Sequence, residues 1–130
     1  MTETGDQRTA FGAPATIAVL SRDLFFGMRI RTTVSRLGYR VLISQQPEDL
    51  LAHVREHPDA IALVLVDFNQ PIGWAALAPL QSMHLPVVAF GSHTDVEGFR
   101  AAKAAGVARV ISNGEFSRSL PDLVARYARR

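Results

Sequence analysis

Apolar positions along this chain fall into two kinds of pattern. Short, mostly apolar runs occur at residues 16–20, 39–43, 61–66, 85–90 and 107–111, and the stretches between them carry apolar residues at helical spacing. The run Ile61-Ala62-Leu63-Val64-Leu65-Val66 has no period-two alternation, which suits a strand buried on both faces of a parallel sheet. It ends at Asp67, followed by Phe68-Asn69-Gln70-Pro71. Between the runs, residues 23–37 place Phe26, Ile30, Thr33, Val34 and Leu37 on one helical face, and Gly38 stops that helix. Pro47 opens a second helix, with Glu48 and Asp49 near its positive end, Leu50, Leu51 and Val54 facing inward, and Pro58 closing it. Residues 73–82 predict a weaker helix with Trp74 and Leu77 inward, shortened or kinked by Pro79. Thr94-Asp95-Val96-Glu97 has a capping-box pattern and introduces a helix ending at Gly106. A closing helix is expected over residues 120–129, with Leu120, Leu123, Val124 and Tyr127 on one side.

Five strand–helix units in this order predict an α/β domain over residues 15–130: a doubly wound, five-stranded parallel sheet of strand order 2-1-3-4-5, flavodoxin-like. Residues 1–14, polar and small apart from Phe11, are expected to form a flexible N-terminal tail. In such a sheet ligands bind at the carboxyl ends of the first and third strands, so Ser21, Arg22, Asp23 and Asp67 are expected to meet there.

Composition narrows the chemistry. The 130 residues contain no Cys, which excludes disulfides and thiol catalysis. No signal-peptide pattern opens the chain and no apolar run approaches membrane-spanning length, so a cytoplasmic protein without membrane attachment is expected. The 14 basic and 12 acidic residues leave a net charge of +2, a weak field for nucleic acid; the excess is local, at Arg22, Arg29, Arg31, Arg36 and Arg40 and again at Arg126, Arg129 and Arg130. The turn after the first strand, Ser21-Arg22-Asp23-Leu24-Phe25-Phe26-Gly27, has one Gly and no Lys-Ser/Thr pair, which argues against dinucleotide and P-loop binding. Gly91-Ser92-His93 lacks the second glycine of a nucleophile elbow. His53-Val54-Arg55-Glu56-His57 has the H-x-x-E-H form of some zinc sites but reads as a surface stretch, because no third acidic ligand accompanies it.

With the elements in order, residues 16–130 resemble the receiver domain of two-component response regulators. Asp67-Phe68-Asn69-Gln70-Pro71 is similar to the phosphoacceptor strand end, Pro86-Val87-Val88-Ala89-Phe90 to the fourth strand, and Ala104-Ala105-Gly106-Val107-Ala108 to the turn before the fifth. The resemblance implies that Asp67 is the phosphoacceptor equivalent. The site around it is degenerate. The two acids that hold Mg²⁺ in the family are matched by Ser21 and Arg22, with Asp23 one place further on. The hydroxyl residue of the fourth strand is matched by Gly91, with Ser92 beside it. The family's Lys and Pro are matched by Asn113 and Gly114, and its aromatic switch by Val110.

Guanidinium in place of a ligand carboxylate removes an oxygen and adds repulsion, so Mg²⁺ binding is not expected, and neither is any other metal or cofactor. The Arg22 guanidinium is instead expected to reach Asp67 as a fixed counter-charge. The resemblance thus implies an atypical, or pseudo-, receiver: a stand-alone, non-enzymatic signalling and protein-interaction module that needs no phosphorylation. The chain ends directly after its fifth helix, so output is expected to pass through a partner protein or a homodimer. The region bounded by Asp95 and Tyr127 is the expected contact, with Val96, Phe99 and Tyr127 themselves in the core. Two rival readings are a phosphorylatable single-domain response regulator, using Asp67, Asp23 and Ser92, and a small-molecule binder using the same crevice.

Overall fold

The central apolar run becomes the third of five strands in the computed structural model, which describes residues 14–130. The expected tail therefore lies outside the described residues, apart from Pro14. The strands are β1 (Thr16–Leu20), β2 (Arg40–Ser44), β3 (Ile61–Asp67), β4 (Val87–Gly91) and β5 (Arg109–Ser112). All pair in parallel, in the order β2-β1-β3-β4-β5 expected from the alternation of elements. Every residue of β1, β3 and β4 is buried, whereas the edge strands β2 and β5 each begin with an exposed arginine. The unalternating runs thus mark the strands covered on both faces.

The helices are α1 (Leu24–Arg36), α2 (Pro47–Glu56), α3 (Pro79–Ser82), α4 (Val96–Ala104) and α5 (Asn113–Tyr127), with 3₁₀ turns at Pro58–Ala60 and Trp74–Leu77. Two cores flank the sheet. On one face, Ile30 and Val34 of α1 and Phe116, Leu120, Leu123 and Val124 of α5 pack on Ile17, Leu65 and Phe90. On the other, Leu50, Leu51 and Val54 of α2 join Leu77, Leu80 and Ala102 over Ala18, Leu20, Val64 and Val66. Phe90 and Phe116 stack with centroids 3.8 Å apart, and Phe26 packs obliquely on Phe90 at 5.2 Å, so one aromatic cluster joins α1, β4 and α5.

Five local expectations are corrected. Pro79 does not kink one helix over 73–82; it opens α3, and the residues before it form a separate 3₁₀ turn. The cap of α4 is Asp95, whose Oδ1 accepts from the Gly98 N–H at 2.9 Å, whereas Thr94 Oγ1 pairs with Ser92. That helix closes at Gly106, which holds φ 81° and so takes the left-handed backbone that suits glycine. The last helix begins at Asn113, not near Leu120: Ser112 Oγ accepts from the Glu115 N–H at 3.2 Å, and Pro121 sits inside the helix. Val96 is 61% exposed, while Phe99 and Tyr127 pack against the two cores as expected. Finally, Leu37, expected on the inner face of α1, caps the end of that helix and is exposed, because the chain turns out of the helix at Gly38.

Candidate functional site

The carboxyl ends of β1 and β3 lie side by side because Leu20 pairs with Val66, and this brings Ser21 against Asp67. The Asp67 side chain is 2% exposed. Ser21 Oγ donates to its Oδ2 at 2.7 Å, and Oδ1 accepts from the Asn69 backbone N–H at 2.9 Å and from Asn69 Nδ2 at 2.6 Å. Burying a carboxylate this far requires donors for its lone pairs, and three neutral ones supply them. The Asn69 contacts form an Asx-type turn, a local device readable from Asp67-x-Asn69; the Ser21 contact spans 46 residues and has no local signal.

A second layer ties the site to the start of α5. Asn69 Nδ2 donates to Asn113 Oδ1 at 3.0 Å, and Asn113 Nδ2 returns a bond to Asn69 Oδ1 at 2.9 Å. Asn113, at the position where the resemblance implies a lysine, therefore reaches Asp67 only through Asn69. Ser21 Oγ also accepts from the Asp23 backbone N–H at 3.1 Å. The Asp23 carboxylate points elsewhere, accepting from the Phe25 and Phe26 N–H groups as the cap of α1. Of the four residues expected to meet, Ser21 and Asp67 do so through their side chains. Asp23 contributes its backbone, and Arg22 borders the adjoining cavity without a hydrogen bond to Asp67.

The expected Arg22–Asp67 pair is thus corrected. Arg22 is exposed and its Nη2 donates to Gln46 Oε1 at 3.4 Å, a long contact at the rim. Asp67 obtains its donors from a hydroxyl and amides at shorter range, without the desolvation cost of a buried guanidinium.

Gly91 explains a further departure. A Cβ at that position would fall less than 3.0 Å from Cε1, Cδ1 and Cζ of Phe68. Phe68 is buried and meets Phe99 edge-on, with centroids 5.4 Å apart and planes at 89°. Its ring therefore takes the space beside β4 that a longer side chain at position 91 would need. Ser92 does not substitute: its Oγ lies 2.9 Å from Thr94 Oγ1 and accepts from the Thr94 N–H at 3.3 Å. Phe68 was present in the motif as an apolar residue after Asp67, but only packing reveals which space it fills.

The cavity beside Asp67, bordered by Ser21, Arg22, Pro47 and Pro71, is about 20 Å³, room for about one water molecule. The donors there do not fit Mg²⁺, which needs several oxygen ligands in near-octahedral array. Asp67 is engaged by three hydrogen-bond donors, Asp23 is engaged at the helix N-terminus, and Arg22 brings positive charge to the rim. Among the described residues no group of three or more His, Asp or Glu side chains could hold a metal. His53 and Glu56 are exposed on α2, 3.9 Å apart, and His57 has already left the helix, so the H-x-x-E-H stretch places no two histidines on one helical face.

A much larger groove, about 550 Å³, lies away from Asp67. Trp74, Leu77 and Leu80 form one wall and Ala101, Ala105 and Val107 the other, at the amino ends of β4 and β5. It opens because α3 is a single turn and alanines line α4. The crevice expected to serve a small molecule is thus nearly filled, and the open volume lies at the opposite end of the sheet.

No protein-family model matches the chain, and no curated protein matches its sequence. Solved structures do match its fold. A response regulator receiver domain protein from Clostridium thermocellum superimposes with TM-score 0.74 at 19% identity, covering 87% of this chain and 93% of that one. The receiver domain of NtrX from Brucella abortus gives 0.72 at 22% identity, over 85% and 96% of the two chains. The chemotaxis response regulator CheY4 of Vibrio cholerae gives 0.72 at 18% identity, over 87% and 98%. The chain has the fold of receiver domains.

Proposed function

We propose that this domain is an atypical receiver: a signalling module that acts by binding a partner protein and does not use phosphorylation of Asp67. The observation that carries the reading is the closed shell of Asp67. A phosphoacceptor oxygen must be open to an incoming phosphoryl group, and catalysis of that transfer rests on positioning and on neutralising charge as it develops. Here both carboxylate oxygens are engaged by Ser21 and Asn69, and the adjoining space admits about one water. The metal ligands, the strand-end hydroxyl and the cation that would assist transfer are replaced by Ser21 and Arg22, by Gly91 under the Phe68 ring, and by Asn113 in an amide pair. On this reading the domain is not an enzyme and carries no cofactor.

The test is intact-mass analysis after incubation with acetyl phosphate and Mg²⁺, with Asp67→Ala as control. The expected spectrum shows no added phosphoryl group on folded protein. An addition that disappears in Asp67→Ala would overturn the reading and make the domain a phosphorylatable response regulator.

A further inference from the structure

Among the described residues, large apolar side chains are exposed mainly at one place. Leu24, Phe25 and Met28 are 74%, 82% and 68% exposed, and all three lie in the first turns of α1. At about 100° per residue they fall within roughly a 100° arc opposite the buried face of Gly27, Ile30 and Val34. Isolated exposed hydrophobes are ordinary, but three adjoining ones of this size mark a contact surface. In the region bounded by Asp95 and Tyr127, Val96 is the one large hydrophobic side chain exposed to this degree among the described residues.

The charges around this patch define its complement. Arg29 and Arg36 border the arc on one side and Arg31 on the other, all exposed, and Arg22 stands at its end beside the Asp23 cap. Residues Leu24–Arg36 contain no acid, and among the described residues Arg29, Arg31 and Arg36 make no ion pair. Leu24 and Met28 are four residues apart, the spacing of a ridge that fits a groove on another helix. A second copy of the same face would set arginines against arginines.

We infer that the exposed face of α1 docks an acidic amphipathic helix of another protein. Leu24, Phe25 and Met28 enter its apolar stripe, and Arg22 and Arg29 meet its flanking carboxylates. Arg22 gains a role by this account: the side chain that does not reach Asp67 is directed outward and belongs to the docking surface. The inference rests on reading the domain as an interaction module, and it supplies the surface and the partner's chemistry.

The test uses the full chain and a synthetic helix with a leucine stripe flanked by glutamates, with a lysine-flanked twin as control. Amide shift changes are expected to map to residues 22–36 for the glutamate peptide and to be absent for the lysine peptide. Phe25→Ser and Arg22→Glu, both at exposed positions, are each expected to weaken binding about tenfold or more, with the dispersed amide spectrum retained. Shifts mapping to the groove at Trp74 and Ala105 would overturn the inference. So would a homodimer abolished by Phe25→Ser, or cosedimentation with phosphatidylserine vesicles in preference to the peptide. Phosphorylation of Asp67 would instead overturn the proposed function and leave the mapped surface standing.

Discussion

Phe68 and Gly91 are one structural decision made at two positions. The Phe68 ring occupies the space a side chain at 91 would enter, so the absence of a hydroxyl at the end of β4 is a packing requirement. Gly91→Ala should therefore cost about 1–3 kcal/mol by overpacking. In a Phe68→Ala background, itself destabilised, the same change should cost clearly less, because the obstructing ring is gone. Urea denaturation of the four proteins of this cycle measures the coupling. Equal costs in both backgrounds would place the strain elsewhere. The same residue-level economy explains Ser21: its one hydroxyl donates to Asp67 and accepts from Asp23, joining the carboxylate to the start of α1.

At the scale of elements, the helix starts show how nearby cap candidates compete. Thr94 and Asp95 both precede α4, and the sequence pattern favours Thr94 with Glu97. In the fold Thr94 is paired with Ser92, Glu97 with Arg100, and Asp95 takes the Gly98 N–H. Asp95→Ala is expected to lower stability by about 1 kcal/mol, and Thr94→Ala by less than about half of that. Thermal unfolding of the two single variants checks the order, and a larger loss for Thr94→Ala would restore the capping box. For α5 the sequence holds an S-x-x-E signature, Ser112 to Glu115, that marks the true start. Gly114 and Pro121 obscure it, since both lower helix propensity. Phe116 stacking on Phe90 draws these residues into the helix despite that.

For the molecule as a whole, the end of the chain is fastened to the middle strand. The pairing of β1 with β3 skips Ala62, and the carbonyl of Ala62 accepts from the Arg129 N–H at 2.8 Å. The Arg129 guanidinium also donates to Ile61 O through Nε at 2.9 Å and to Pro58 O through Nη2 at 2.7 Å. Arg129→Ala leaves these side-chain contacts unmade and should cost about 1–3 kcal/mol, whereas Arg130→Ala, at an exposed position, should change stability by less than about 0.5 kcal/mol. Urea midpoints of the two variants decide it. Equal midpoints would mean that water replaces the strap without loss.

The sequence by itself determined the five strands, their order, the inner face of α2 and, on α1, the buried Ile30 and Val34. Each of these is written locally: a strand buried on both faces needs an unbroken apolar run, and a helix on a sheet needs one apolar stripe. It also placed Asp67 at the crevice and flagged the altered residues around it. Only the tertiary structure decided what those residues do. Arg22 and Ser21 are neighbours in sequence, yet Ser21 turns in to Asp67 while Arg22 turns out to Gln46. The choice depends on hydrogen-bond partners far along the chain and on the cost of burying a guanidinium, neither of which a local pattern records. The same holds for the ring of Phe68 against Gly91 and for the exposure of Phe25, since the space a side chain finds is set by elements that meet only after folding.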